Sequence, residues 1–393
     1  WVSKQEASIL GDIRKAAKGY EQLSGVADSR PASLETEILW ATAILGRYKK
    51  ELVEFRRVAE QVTRYVLCNE FVAALDCIDE LDNSFGVSFW SLQLRIALTN
   101  EAYGLEAQKK IVEEVRAVFD RGLLGYVAYS CGVRNESRTT AERFSINTLA
   151  RISKHRYFSR EVKTYLRFIL IGDIPASSAG LADLIRVSQS HHFFDLYETS
   201  VSVLQALCIE TAAPRQLIER FVGEFESISD FRISKLAFAV TPDQTKFCEA
   251  VSENQVLNSI IKEDDSYALR VAARSMNARS TPNPWDYIYT GWIASEGILK
   301  EPKEKRISRR CVRFVAATFT STTLFDPHDA IVKLSRNFGQ LPFFQALWSY
   351  SRLVNKAKFV GPDEHRKIGL NCSSFGFEDL RSDTLLRNAA ISV

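Results

Sequence analysis

Glycine and proline are scarce, 18 and 10 residues in a chain of 393. So few turn-formers argue against many short strands joined by tight turns, and favour helices. The cysteines show no organisation. Seven stand singly (Cys68, Cys77, Cys131, Cys208, Cys248, Cys311 and Cys372), an odd number without a CxxC pair. That argues against a disulfide framework or a zinc finger and points to a reducing cytosol. No run of about 18 uncharged apolar residues occurs, so no membrane span is expected. A net charge of +3 is too small to select a polyanion by itself; only local clusters can do so. GxSxG, the P-loop lysine motif, GxGxxG and HExxH are all missing, which lowers an enzymatic reading. The start, WVSKQEASIL, has no signal-peptide core. It also lacks a Met, which leaves room for a further domain of the same protein before Trp1.

What is present is ordinary for a folded soluble protein: 46% hydrophobic and 25% charged residues, in a chain longer than one compact domain usually holds. Its clearest local signal is LDNSFGVSFW, residues 81–90. Upstream, Phe71, Ala74, Leu75, Ile78 and Leu81 recur at three- and four-residue spacing and share one helical face, with Asp76, Asp79 and Glu80 opposite. Gly86 suits a left-handed helix end, and Ser88 can cap the next helix start. Phe89, Trp90, Leu92, Leu94, Ile96, Ala97 and Leu98 then cover a wide arc, as in a helix buried on two sides. Ala107, Ile111, Val115 and Val118 build a third helix.

Other stretches follow the same scheme. Residues 34–67 read as two helices broken near Gly46, and residues 141–172 as two more. Residues 179–210 keep helical spacing, and Pro214 opens another helix. A second corner is expected in DAIVKLSRNFGQLPFFQAL, from Asp329: superposing Phe338-Gly339 on Phe85-Gly86 pairs Ile331 with Ile78, Leu334 with Leu81, Phe343 with Trp90 and Leu347 with Leu94. CVRFVAATFTSTTLF is the best strand candidate. Loop-like zones at 172–180, 279–285, 297–306 and 360–377 suggest joints. The implied division is 1–172, 173–297 and 298–393.

These paired corners resemble tetratricopeptide-type helical repeats, best over residues 71–119 and next over 326–355. Ala74 and Ala107 match the family's small-residue pattern, although no regular repeat of about 34 residues runs along the chain. The resemblance implies a superhelical scaffold whose concave groove binds peptides or proteins.

Several groups are candidates for chemistry. In HHFFDLYE, a continuous helix would put His191, Asp195 and Glu198 at i, i+4 and i+7 on one face, a potential metal or acid–base set; the plainer reading is a polar stripe. Cys372, seven residues after His365, has the residue types of a thiol nucleophile and base, though a plain loop cysteine fits as well. Two basic clusters stand out. Arg134, Arg138, Arg143, Arg151, Lys154, Arg156, Arg160, Lys163 and Arg167 are opposed by Glu136, Glu142 and Glu161 alone. Lys300, Lys303, Lys305, Arg306, Arg309, Arg310 and Arg313 face only Glu301 and Glu304. They read as a track for nucleic acid or an acidic protein, with Tyr157, Phe158 and Tyr165 as stacking rings, or else as solvated helix faces. Trp285, Tyr287, Tyr289 and Trp292 form an aromatic group; Trp292 suits the core and Trp285 a ligand contact.

The expectation is therefore an all-α array of antiparallel helical hairpins, an α-solenoid resembling the tetratricopeptide superhelix. Its function would be that of a cytoplasmic, non-catalytic scaffold for a protein partner, without cofactor or membrane contact. One alternative is nucleic-acid binding along 134–167 and 300–313. A second is a hydrolase or metal enzyme centred on His191.

Overall fold

The structure, a computed structural model, describes residues 33–67, 70–119, 122–136, 141–208, 215–228, 230–240 and 336–341. The described residues are helical, without a strand. The chain divides into two units, one of Trp1–Val58 and Leu75–Val240, the other of Ala59–Ala74 and Thr241–Val393. The helices are α1 (Leu34–Gly46), α2 (Lys49–Leu67), α3 (Phe71–Phe85), α4 (Phe89–Tyr103), α5 (Leu105–Phe119) and α6 (Leu123–Asn135). They continue with α7 (Ala141–Lys154), α8 (Arg160–Ile171), α9 (Ser178–Gln189), α10 (Phe193–Leu207), α11 (Arg215–Phe225) and α12 (Phe231–Val240).

Local chemistry sets the helix ends. The Ser33 hydroxyl accepts from the Thr36 amide at the start of α1, Ser159 caps α8, and Ser177 caps α9. Each satisfies an amide that has no partner inside its helix. The corner at LDNSFGVSFW forms as expected. Gly86 takes φ 90°, a conformation costly for a residue with a Cβ. The Ser88 hydroxyl accepts from the Ser91 amide at 2.9 Å, while the Ser91 hydroxyl accepts from the Ser88 amide at 3.0 Å. Ser88→Ala removes half of this reciprocal cap and is expected to cost about 1 kcal/mol in urea unfolding. Ser84→Ala, at an exposed position one turn earlier, is expected to stay within about 0.5 kcal/mol.

In the first unit, consecutive helices pack against each other from α4 through α10, and α11 packs on α12. This is the helical array that the periodicity implied. Helix α4 is buried over most of its circumference and touches α5, α6 and α10, as its wide apolar arc predicts. There are also contacts between helices far apart in sequence: α1 packs on α9, α10 and α11. Buried polar groups pin that closure. Arg186 of α9 reaches the Glu37 carboxylate of α1 at 2.8 Å and Asp183 at 3.0 Å, while Gln189 donates to Glu37 at 3.1 Å. The central core is aromatic. Phe55 stacks on Phe194 at 4.1 Å and meets the edge of Trp90 at 4.8 Å, joining α2, α10 and α4.

One helix that periodicity does not reveal is α6, in GLLGYVAYSCGVRN. Its glycines lower helix propensity, but tertiary packing supplies the reason for one of them. A Cβ on Gly132 would lie 3.2 Å from Val112 of α5. The pair is further tied by Gln108, which donates to the Gly132 carbonyl at 3.2 Å and accepts from Asn135 at 2.9 Å. Of the loop-like zone 172–180, residues 172–177 join α8 to α9 and residues 178–180 already form the first turn of α9; the two helices pack on each other.

In the second unit, a turn follows Asn337, and Phe338 is buried and parallel to Phe71 with centroids 6.3 Å apart. The remainder of the second corner, the strand candidate, the cluster at 300–313 with Arg306, Arg309 and Arg310, Trp285, and Cys372 with His365 lie outside the described residues.

Candidate functional site

HHFFDLYE is a joint between helices. Helix α9 ends at Gln189 and α10 begins at Phe193, so His191 precedes the helix and His192 is its cap. The i, i+4, i+7 face linking His191 to Asp195 and Glu198 therefore does not exist. Asp195 projects into α4 and accepts from the backbone amides of Phe89 at 3.0 Å and Trp90 at 2.9 Å. His192 Nδ1 accepts from the Phe194 amide at 3.2 Å, which leaves the proton on Nε2, and Nε2 donates to the Phe85 carbonyl at 2.8 Å. Helix α10 thus grips both sides of LDNSFGVSFW: the last carbonyl of α3 and the first amides of α4. The His191 ring lies edge-on to Phe89 at 4.7 Å and 5.5 Å from Tyr165.

Burial shapes the charge of these groups. It pushes the Asp195 carboxyl up to about 7, against the pull of the Phe89, Trp90 and His192 amides. It pushes the His192 ring down to about 4, against the Phe85 carbonyl, so that the ring is neutral.

Glu198 faces elsewhere, into a buried ionic cluster. Arg232 of α12 makes a fork to its two carboxylate oxygens at 2.7 and 2.8 Å. The same guanidinium meets Asp230 at 2.7 Å, Arg56 of α2 meets Asp230 at 3.0 Å, and the Tyr197 hydroxyl donates to Asp230 at 3.0 Å. Burial would raise the Asp230 carboxyl, but Arg232 and Arg56 overcome it and hold the group well below the usual carboxylate range. The cluster is structural, a two-by-two match of cations and carboxylates. Nothing in the local sequence announces it, because its members lie on α2, α10 and the start of α12. Among the described residues no three His, Cys, Asp or Glu side chains are placed to hold a metal ion.

The basic stretch is distributed more informatively. Arg134 is buried, with 3% exposure, and so does not belong to the surface expected of it. The reason is its helix: α6 packs on α4, α5, α7 and α8 and exposes little besides Tyr129. Arg138 lies outside the described residues. Arg167 pairs with Asp173, and the half-buried Lys163 donates to the Ser153 carbonyl at 3.2 Å. Arg143, Arg151, Lys154, Arg156 and Arg160 are all exposed. No Asp or Glu occurs from residue 143 to residue 160. Arg143 and Lys154 lie on α7 opposite the buried Phe144, Thr148 and Ile152, and the exposed Arg151 lies at the edge of that buried stripe, toward Arg143 and Lys154. Arg156 follows in the loop and Arg160 opens α8.

Aromatic rings accompany these charges. The Tyr129 ring of α6 has the Arg116 guanidinium of α5 at 5.4 Å and that of Arg151 at 5.6 Å. Neither Arg116 nor Tyr129 stands out in the sequence, since both sit amid ordinary helical spacing. Tyr157 is 89% exposed. Its loop is held by His155 stacked on Phe158 at 3.8 Å, with Tyr126 edge-on to both.

The chain matches no protein-family model, no curated protein and no solved structure. No helix among the described residues is long and apolar enough to cross a membrane.

Proposed function

We propose that the protein is a non-catalytic helical scaffold that holds an anionic macromolecule against the exposed face of α6, α7 and the start of α8. The observation that carries this is the acid-free run from Arg143 to Arg160, all five of whose Arg and Lys side chains are exposed. A local excess of one sign, with no carboxylate inside the run and Glu161 and Asp183 acting on Arg160 at its end, creates a potential that the net charge of +3 conceals. The ionisable groups of HHFFDLYE meanwhile serve helix joints and internal pairing. A folded acidic protein is the second reading. The 60% exposure of Ile146 within the same arc favours it, since an exposed aliphatic side chain contributes to a protein interface and does nothing for a phosphate backbone.

Retention on a heparin column tests the proposal. The variant R143Q/R151Q/K154Q/R156Q/R160Q is expected to elute at much lower salt than the wild type. A control variant neutralising Arg47, Lys50, Lys110, Arg215 and Arg220, all exposed elsewhere, is expected to elute near the wild type. Equal loss in both would show that retention follows total charge and that this face has no special role.

A further inference from the structure

We infer that the anionic ligand of this face is a single-stranded nucleic acid, with Tyr157 as a platform for an unpaired base. This rests on the anionic-partner reading above and specifies its chemistry. Charge alone would serve any polyanion, so the discriminating feature is the ring. Tyr157 is 89% exposed, the most exposed of the large hydrophobic side chains among the described residues. It is not carried on a loose loop. His155 and Phe158, parallel to within 11° at 3.8 Å, lock the backbone on either side of it. Tyr126 braces that stack edge-on, 5.7 Å from His155 and 5.4 Å from Phe158. The His155 and Tyr157 rings meet in a T-shaped arrangement and do not stack, with centroids 6.0 Å apart and planes at 72°. An aromatic side chain held out in this way, between Arg156 and the nearby Arg160, offers a π-face that every base can stack on, with cations placed for the adjoining phosphates.

The geometry selects single strands. Bases in a duplex are already stacked on one another and cannot reach a protruding ring without unstacking, whereas a single strand presents its bases free. From Arg143 to Lys154 the arc runs about 16 Å along α7, at about 1.5 Å per residue, so successive cations can follow one backbone. Arg151 is steadied by Tyr129, whose ring also receives Arg116, and this reduces the freedom it loses on meeting a phosphate. A duplex would be gripped by the same charges, but it would not use Tyr157.

Fluorescence anisotropy on the full chain decides the matter, with a labelled oligothymidylate strand, a labelled duplex of equal length and a labelled polyglutamate peptide as probes. The strand is expected to bind more tightly than the duplex or the peptide. With five phosphate contacts, log K should fall with log salt at a slope of about −3.5, roughly a 100-fold loss between about 50 and about 200 mM. Tyr157→Ala is expected to weaken strand binding about 5- to 150-fold and leave duplex binding unchanged, and Tyr157→Phe to retain it. Lys154→Gln is expected to reduce the slope by about 0.7. All these side chains are exposed, so unchanged thermal unfolding should accompany each substitution. If strand and duplex bind alike and Tyr157→Ala has no effect, the single-strand inference falls while the anionic-partner reading stands. The same division follows if only polyglutamate binds, which would identify an acidic protein. If none of the three binds, both fall.

Discussion

Arg232→Met is expected to lower folding stability by about 3–5 kcal/mol, the largest single effect anticipated in the described residues. The guanidinium is 4% exposed and answers two carboxylates at once, Glu198 and Asp230, the latter 1% exposed. Removing it leaves Arg56 to answer both Asp230 and Glu198, and a net negative charge remains where water cannot reach it. A typical domain has about 5–15 kcal/mol to lose, so the variant should show a strongly reduced urea midpoint. The loss reflects a stranded charge, not the value of the intact cluster. Arg232→Met combined with Asp230→Asn should therefore lose less than the sum of the two single changes, with a coupling of about 0.5–3 kcal/mol in a double-mutant cycle. Strict additivity would mean that the two side chains do not share one electrostatic environment. Acid unfolding offers a second check. Arg232 and Arg56 hold the Asp230 carboxyl well below its usual range despite burial. Its contribution is present above about pH 4, where the unfolded carboxyl ionises, and is lost as pH falls below that. Asp230→Asn should flatten this acid limb.

The sequence announces helices better than it announces what joins them. Gly86 and Ser88 mark a corner because a left-handed residue and a cap are local requirements, met within a few positions. The bonds that fix the corner come from His192 and Asp195, more than 100 residues later, and no spacing rule connects them. Helical periodicity even points the wrong way in HHFFDLYE: apolar residues keep helical spacing on both sides of Ser190, which conceals the break that removes His191 from α10. The basic surface was partly legible. Charge runs identify Arg143 to Arg160, but only the packing of α6 separates the buried Arg134 from its exposed neighbours. Tyr129 enters the picture solely because α5, α6 and α7 lie side by side and bring Arg116 and Arg151 to its ring.

Asp195→Asn is expected to produce a loss of stability that depends on pH, greatest near pH 4 and shrinking toward pH 7. In the fold, burial pushes this carboxyl up to about 7, against an ordinary value of 3.8. Between those values the folded protein keeps a proton that the unfolded chain has released. The carboxyl's contribution is complete at low pH and declines as pH rises, by about 1.4 kcal/mol per unit while the difference is one proton. His192 has the opposite slope. Burial keeps its ring neutral down to about 4, from an ordinary 6.5; the unfolded ring takes up a proton first, and stability falls as pH drops through that interval. The two slopes oppose each other from about pH 4 to 6.5, so the wild type should be nearly level there. Asp195→Asn exposes the histidine slope alone, so the variant should gain stability as pH rises. An amide also turns a donor toward the Phe89 or Trp90 amide, where the carboxyl offers acceptors to both; one lost buried bond costs about 1–3 kcal/mol. Urea unfolding of wild type and variant from pH 4 to 8 measures both effects together. A difference that stays constant across this range would mean that Asp195 is ionised in the fold throughout, held by the amides at the start of α4 more strongly than burial opposes them.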